Sequence, residues 1–137
     1  MELHSDTLEV KAPAKQLYAF LTDFNHFSAL LPDQVREWSA DTTQCSFVIE
    51  GLPRISLRLG DTDPGQVVTY LPGDETPVEF KLIFRFMDRP EESGCTMNNT
   101  LEAEVSPMIA MMARRPLQNF LDLVSTRLRD HMETQNA

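Results

Sequence analysis

The chain is poor in the residues that build special frameworks. Its 137 residues include two cysteines, five glycines and one tryptophan. Cys45 and Cys95 stand far apart with no Cys-x-x-Cys spacing, whereas a disulfide framework normally shows a denser, even set. Both read as small buried hydrophobes, and a reducing, cytoplasmic setting is expected. With so few glycines there is no G-x-G-x-x-G, no P-loop and no G-x-S-x-G, so the common phosphate cradles and the nucleophile elbow are absent. Basic residues are scarce. Twelve Lys and Arg face 21 Asp and Glu, for a formal charge of −9. That argues against nucleic acid, whose binding needs cations to neutralise phosphates, and against anionic membranes. The longest apolar run is Met108–Ala113, far short of the roughly 20 residues of a membrane span. Met1–Asp6 has no basic stretch leading into an apolar one, so no signal peptide is expected. His4, His26 and His131 fall in no metal-binding spacing, so neither a metal nor a cofactor is expected.

What is present is ordinary globular composition, 42% hydrophobic and 24% charged. One domain over residues 1–137 is expected, long enough for a core without staples. Residues 2–11 read as a first strand. Leu3 is out of phase with Leu8 and Val10, which implies a bulge or a late start. Pro13 suits a first helical turn, and Leu17, Phe20, Leu21 and Phe24 then make one apolar face. Asp23 is placed to cap a second short helix carrying Phe27, Leu30 and Leu31, which Pro32 ends.

From residue 34 to 105 the period is two. Val35–Ala40 is one strand. Others carry Cys45, Phe47 and Ile49; Ile55, Leu57 and Leu59; and Val67–Leu71. The last two carry Val78, Phe80, Leu82, Phe84 and Phe86, then Cys95, Met97, Leu101, Ala103 and Val105. Turn chemistry separates them at Ser39–Thr43, Gly51-Leu52-Pro53, Gly60–Gly65, Pro72–Pro77 and Arg89–Gly94. Connectors this short favour antiparallel hairpins. Ser106-Pro107 opens a last helix, with Leu117, Phe120, Leu121, Val124 and Leu128 on one face. Pro116 is expected to bend this helix, or to split it into 107–114 and 116–132.

The stretch Val10-Lys11-Ala12-Pro13-Ala14-Lys15-Gln16-Leu17-Tyr18-Ala19-Phe20-Leu21-Thr22-Asp23-Phe24 runs from a strand through Ala-Pro into a helix with an aromatic and then an Asp. With the order of elements, it resembles the opening of the START-like, or SRPBCC, superfamily. The resemblance implies an α+β helix-grip fold: a curved seven-stranded antiparallel sheet around a long C-terminal helix, with two short helices after the first strand. It also implies a cavity for an apolar ligand between sheet and helix. The superfamily includes lipid carriers, polyketide cyclases and aromatases, ubiquinone-binding proteins, chaperone activators and hormone receptors, so the fold does not select one activity.

In that frame Trp38, Phe47, Phe84, Met97, Met112 and Phe120 are the expected apolar contacts of a ligand. The same residues read equally as plain core. Trp38 and Val35 lie on opposite faces of their strand unless a bulge intervenes. Asn99 is in phase with Met97 and Leu101, so it points inward, either as a polar anchor for a ligand or satisfied by a neighbour. Arg115 is read either as a cation for a ligand carboxylate or as a solvated surface residue. Met108, Met111 and Met112 are read as a pliable cavity mouth, as gap-filling core, or as a contact for a second copy of the chain. Asp23 and His26 are either a carboxylate-oriented base or a cap beside a surface imidazole. Glu50, Glu79, Glu102 and Glu104 fall on the outer face and read as solvated.

The leading expectation is a carrier of a hydrophobic or amphipathic small molecule, without covalent chemistry. One alternative is a cyclase- or aromatase-like enzyme in the same cavity, using Asn99, Arg115 and Tyr70. Another is a protein-interaction module of the chaperone-activator type, whose acidic sheet face meets a basic partner.

Overall fold

The computed structural model describes residues 1–31, 33, 35–49, 54–74, 76, 78–89 and 94–135. Pro32, Glu50, Gly51-Leu52-Pro53, Pro77 and residues 90–93, on which the sequence reading placed a helix stop, an outward glutamate and turns, lie outside them. The strands are β1 Glu2–His4, β2 Leu8–Val10, β3 Val35–Ala40, β4 Gln44–Ile49, β5 Ile55–Asp63, β6 Val67–Pro72, β7 Glu79–Arg89 and β8 Gly94–Glu104. The helices are α1 Ala14–Leu21, a 3-10 helix Phe24–Leu30, and α2 Pro107–Gln135.

All strand pairs are antiparallel, in the order β1-β8-β7-β6-β5-β4-β3, with β2 also on β8. The sheet curves around α2, giving the α+β helix-grip arrangement. The single first strand expected from the sequence is two. Leu3 pairs with Leu101 and Val10 with Cys95, on either side of a break at residues 5–7. The break resets the alternation, so both Leu3 and Val10 are buried at 2% exposure despite opposite parity.

Two other irregularities follow the same logic. In β3 the register shifts between Arg36 and Ser39. This bulge half-buries both Val35 and Trp38, which a regular strand would place on opposite faces. In β5 the shift falls between Leu59 and Thr62. The segment Gly60–Gly65, read as a turn, is strand as far as Asp63. A Cβ at Gly60 would stand 2.7 Å from the Leu71 side chain, so glycine lets β5 and β6 approach there.

Asp23 caps the 3-10 helix by accepting from the Asn25 N–H at 2.9 Å. Ser106 caps α2, its Oγ accepting from the Ile109 N–H at 3.3 Å. The helix then runs unbroken through Pro116, with no split at that residue. Proline lacks the N–H that would bond the Met112 carbonyl, so one rung is missing while the helix continues.

The core lies between the inner sheet face and α2. Leu121, Val124, Leu128 and Met132 of α2 are buried to 1% exposure or less. Arg127 donates to the Leu31 carbonyl and Gln118 Nε2 to the His4 carbonyl at 3.0 Å. These bonds tie the helix to both sides of its cradle. The first turns of α2 are different. Met108, Ile109, Met111 and Met112 are 73%, 50%, 85% and 76% exposed. The C-terminal half of α2 is packed down, and its N-terminal half stands away from the sheet.

Candidate functional site

That difference opens a cavity of about 300 Å³. Its floor is the inner row of the sheet: Phe47 on β4, Ile55 and Leu57 on β5, Phe80 and Leu82 on β7, Leu101 and Ala103 on β8. Strand alternation puts these side chains on one face, and Leu82 is paired directly with Leu101. The roof is α2, through Ile109, Met112, Ala113, Leu117, Phe120 and Leu121. These recur every three or four residues along one side of the helix. Ile109 and Met112 are both exposed and part of the lining, so they form its mouth. Leu121, at 1% exposure, is at the deep end.

Of the residues expected to contact a ligand, Phe47, Met112 and Phe120 line this cavity. The Phe47 and Phe120 rings are 6.1 Å apart. Trp38, Phe84, Met97, Asn99 and Arg115 are outside the lining. Trp38 lies 6.0 Å from Phe47 and half-buried. Phe84 packs edge-on against Tyr70 at 5.2 Å, inside the closed part of the core. Met97, 1% exposed, pairs with Phe86 and Leu8 there. Arg115 is exposed on α2.

Asn99 does point inward and is fully buried. Its Nδ2 donates to Ser125 Oγ at 2.7 Å, and Ser125 Oγ donates to the Leu121 carbonyl at 2.7 Å. Asn99 Oδ1 has no hydrogen-bond partner among the described residues. Asn99 is the next inward residue after Leu101, and Ser125 is one turn beyond Leu121. The pair therefore sits just past the deep end of the cavity.

The groups suggested for enzyme chemistry are not brought together. The Tyr70 hydroxyl donates to the Leu21 carbonyl at 2.6 Å, Asn99 holds Ser125, and Arg115 faces solvent. Burial, with some help from the Cys45 sulfur, pushes the Tyr70 hydroxyl well above its ordinary pKa. Burial also pushes the Cys45 thiol up to about 12 and the Cys95 thiol up to about 11. Asp41 beside Cys45 and Asp88 beside Cys95 add to the rise, while a backbone bond at Leu57 opposes it for Cys45. Thiols held neutral in this way are poor nucleophiles.

A second, polar hollow is formed by residues of α1, the 3-10 helix and the end of α2, lined by Gln16, Asn25, His26, His131 and Gln135 around Phe20. Phe20 stacks on His26 at 5.0 Å and tilts against His131 at 4.9 Å. His26 Nε2 is 3.9 Å from Asp23 Oδ2, too long for the hydrogen bond of an oriented base. The apolar cavity is the better-built site, because sheet and helix both contribute walls.

Missing from the sequence reading were Arg54 and Thr76, the polar side chains among the described lining residues. Arg54 precedes the first inward residue of β5, so strand alternation gave no signal for it.

No protein-family model and no curated protein matches the chain by sequence. Solved structures do match in shape. A START superfamily protein from Mycobacterium smegmatis aligns with a TM-score of 0.69 at 13% identity, covering 98% of both chains. The chain has the START-like fold. A Thermus thermophilus protein aligns at TM-score 0.71 and 14% identity over 100% of both chains. The Aha1 dimer from Colwellia psychrerythraea aligns at TM-score 0.64 and 12% identity, over 100% of this chain and 99% of that one. At these identities the likeness is one of START-like architecture. Among the described residues, no helix is long and apolar enough to cross a membrane.

Proposed function

We propose that this START-like chain binds a small hydrophobic or amphipathic molecule in the cavity between sheet and α2, and holds it without covalent chemistry. The observation that carries the reading is the cavity itself, about 300 Å³ with walls almost entirely aliphatic and aromatic. That is the lower end of the range for small-molecule pockets. Burial of apolar ligand surface there contributes about 25 cal/mol per Å², less the entropy of association. Phe47, Met112 and Phe120 are the contacts kept from the sequence reading, with Leu57, Leu82 and Leu101 beside them. Calorimetric titration with 1-octanol tests the proposal. One saturable site is expected in the wild type. Ala113→Trp, which places an indole in the cavity from a half-buried helix position, should remove it. Undiminished uptake by a folded Ala113→Trp variant would place binding elsewhere.

A second reading concerns partners. Met108, Met111 and Met112 are exposed, and one neighbour in shape is an Aha1 dimer. These favour a contact between two copies of this chain through the start of α2. Sedimentation at rising concentration, with Met111→Lys as the comparison, decides it. A mass that stays that of one chain removes the reading.

A further inference from the structure

We propose that the cavity takes an acyl chain carrying one carboxylate, and that Arg54 reads the head group. The inference rests on the cavity reading above and names its ligand class.

Arg54 and Thr76 supply the polar side chains among the described lining residues. The Thr76 hydroxyl is already engaged. It accepts from the Ser56 N–H at 2.6 Å and donates to the Ser56 carbonyl at 3.1 Å. Arg54 has capacity left. A guanidinium carries five N–H donors and no acceptor. Among the described residues its ionic partner is Glu37, reached through Nη2 at 3.1 Å. The Glu37 side chain is 65% exposed, and an ion pair so close to water is weak and easily exchanged. A ligand carboxylate suits the guanidinium better, because its two oxygens match the planar fork.

Glu37 itself is held in an unusual way. It has φ 53, a left-handed conformation that few residues with a Cβ adopt. It lies within the β3 bulge, and its pair with Arg54 reaches across β4. Bulges re-aim side chains, and strained backbone collects where a group must be positioned. Here the bulge brings Glu37 to Arg54 beside the cavity, in a pair that a ligand carboxylate can replace.

The other walls specify the rest of the ligand. Among the described lining residues a second polar group would lose water and find little beyond the Met1 ammonium, which already donates to the Ala103 carbonyl at 2.8 Å. A volume of about 300 Å³, at the roughly 30 Å³ share of one water, holds about ten non-hydrogen atoms. Octanoate is of that size. In a chain of charge −9, an anion is held only where a local cation draws it.

Titration of the full chain with octanoate and with 1-octanol at neutral pH tests the assignment, in the wild type and in Arg54→Met, with folding checked by circular dichroism. Octanoate is expected to bind about tenfold or more tightly than 1-octanol, as charged hydrogen bonds allow. Arg54→Met should lose that preference and keep the affinity for 1-octanol. Equal binding of both ligands by the wild type overturns the carboxylate assignment and leaves the cavity reading standing. So does an octanoate preference that survives in Arg54→Met. Binding of neither ligand by the wild type overturns the cavity reading, and this inference with it.

Discussion

Asn99 of β8 donates to Ser125 of α2 at 2.7 Å, across a fully buried interface. The bond marks where the helix stops standing off the sheet and begins to lie on it. Above it is the cavity, and below it Val124, Leu128 and Met132 are packed against the core.

The bond also has an asymmetric energetic signature. Ser125→Ala leaves the Asn99 amide with neither end paired, since Oδ1 already lacks a partner. The expected cost is about 1–3 kcal/mol. Asn99→Leu removes both polar ends together, and Ser125 keeps its bond to the Leu121 carbonyl. It should cost less than Ser125→Ala. Urea unfolding of both variants checks the order, and the reverse order would mean that Asn99 is satisfied in solution.

Leu117 and Leu128 make a matched pair for the two halves of α2. Leu128 is fully buried, and Leu128→Ala should cost about 2–5 kcal/mol through the void it leaves. Leu117 is half-buried and already borders empty space. Leu117→Ala should cost about 1 kcal/mol, because fewer contacts are lost. Uptake of 1-octanol should change in Leu117→Ala and stay unchanged in Leu128→Ala. Equal costs would mean that the helix lies down along its whole length.

The sequence carried the sheet and the helix face well, because alternation and the helical repeat are local properties. Parity alone placed Asn99 inward, and its burial agrees. Parity also gave Leu57, Leu82, Leu101 and Ala103 their inward direction, though not their place on a cavity. What decides between cavity wall and solid core is the distance of α2 from the sheet. Phe84 and Phe47 have the same inward parity, yet Phe84 meets Tyr70 while Phe47 faces the opening. Periodicity carries no information about that distance. Arg54 escaped for a related reason, since its position depends on how β3, β4 and β5 lie side by side.

Alkaline pH should weaken the fold. Unfolded thiols lose their protons near pH 8.5, whereas Cys45 and Cys95 in the fold hold theirs to about 12 and about 11. Across that interval the native state binds more protons than the unfolded state, so stability falls as pH rises. Below it this contribution is fully present. Each thiol contributes a slope of about 1.4 kcal/mol per pH unit. Urea midpoints at pH 8 and pH 10 should therefore separate, and Cys45→Ala should narrow the gap. A gap unchanged in Cys45→Ala would show that burial does not hold that proton.

Tyr70 ties the sheet to the end of α1. Its hydroxyl donates to the Leu21 carbonyl at 2.6 Å, and both residues are buried. The carbonyls of a last helical turn have no partner within the helix, so Tyr70 supplies one from β6. Tyr70→Phe keeps the ring, which packs on Phe24 at 4.5 Å and on Phe84 at 5.2 Å, and strips the donor. The expected loss is about 1–3 kcal/mol, the cost of leaving a buried carbonyl unpaired. Ligand uptake should be unaffected, because Tyr70 is outside the cavity lining. Thermal unfolding and a 1-octanol titration of the same variant check both halves. A variant as stable as the wild type would show that water reaches the Leu21 carbonyl. One that is stable but no longer binds would move the site from the mouth of α2 to the closed aromatic core.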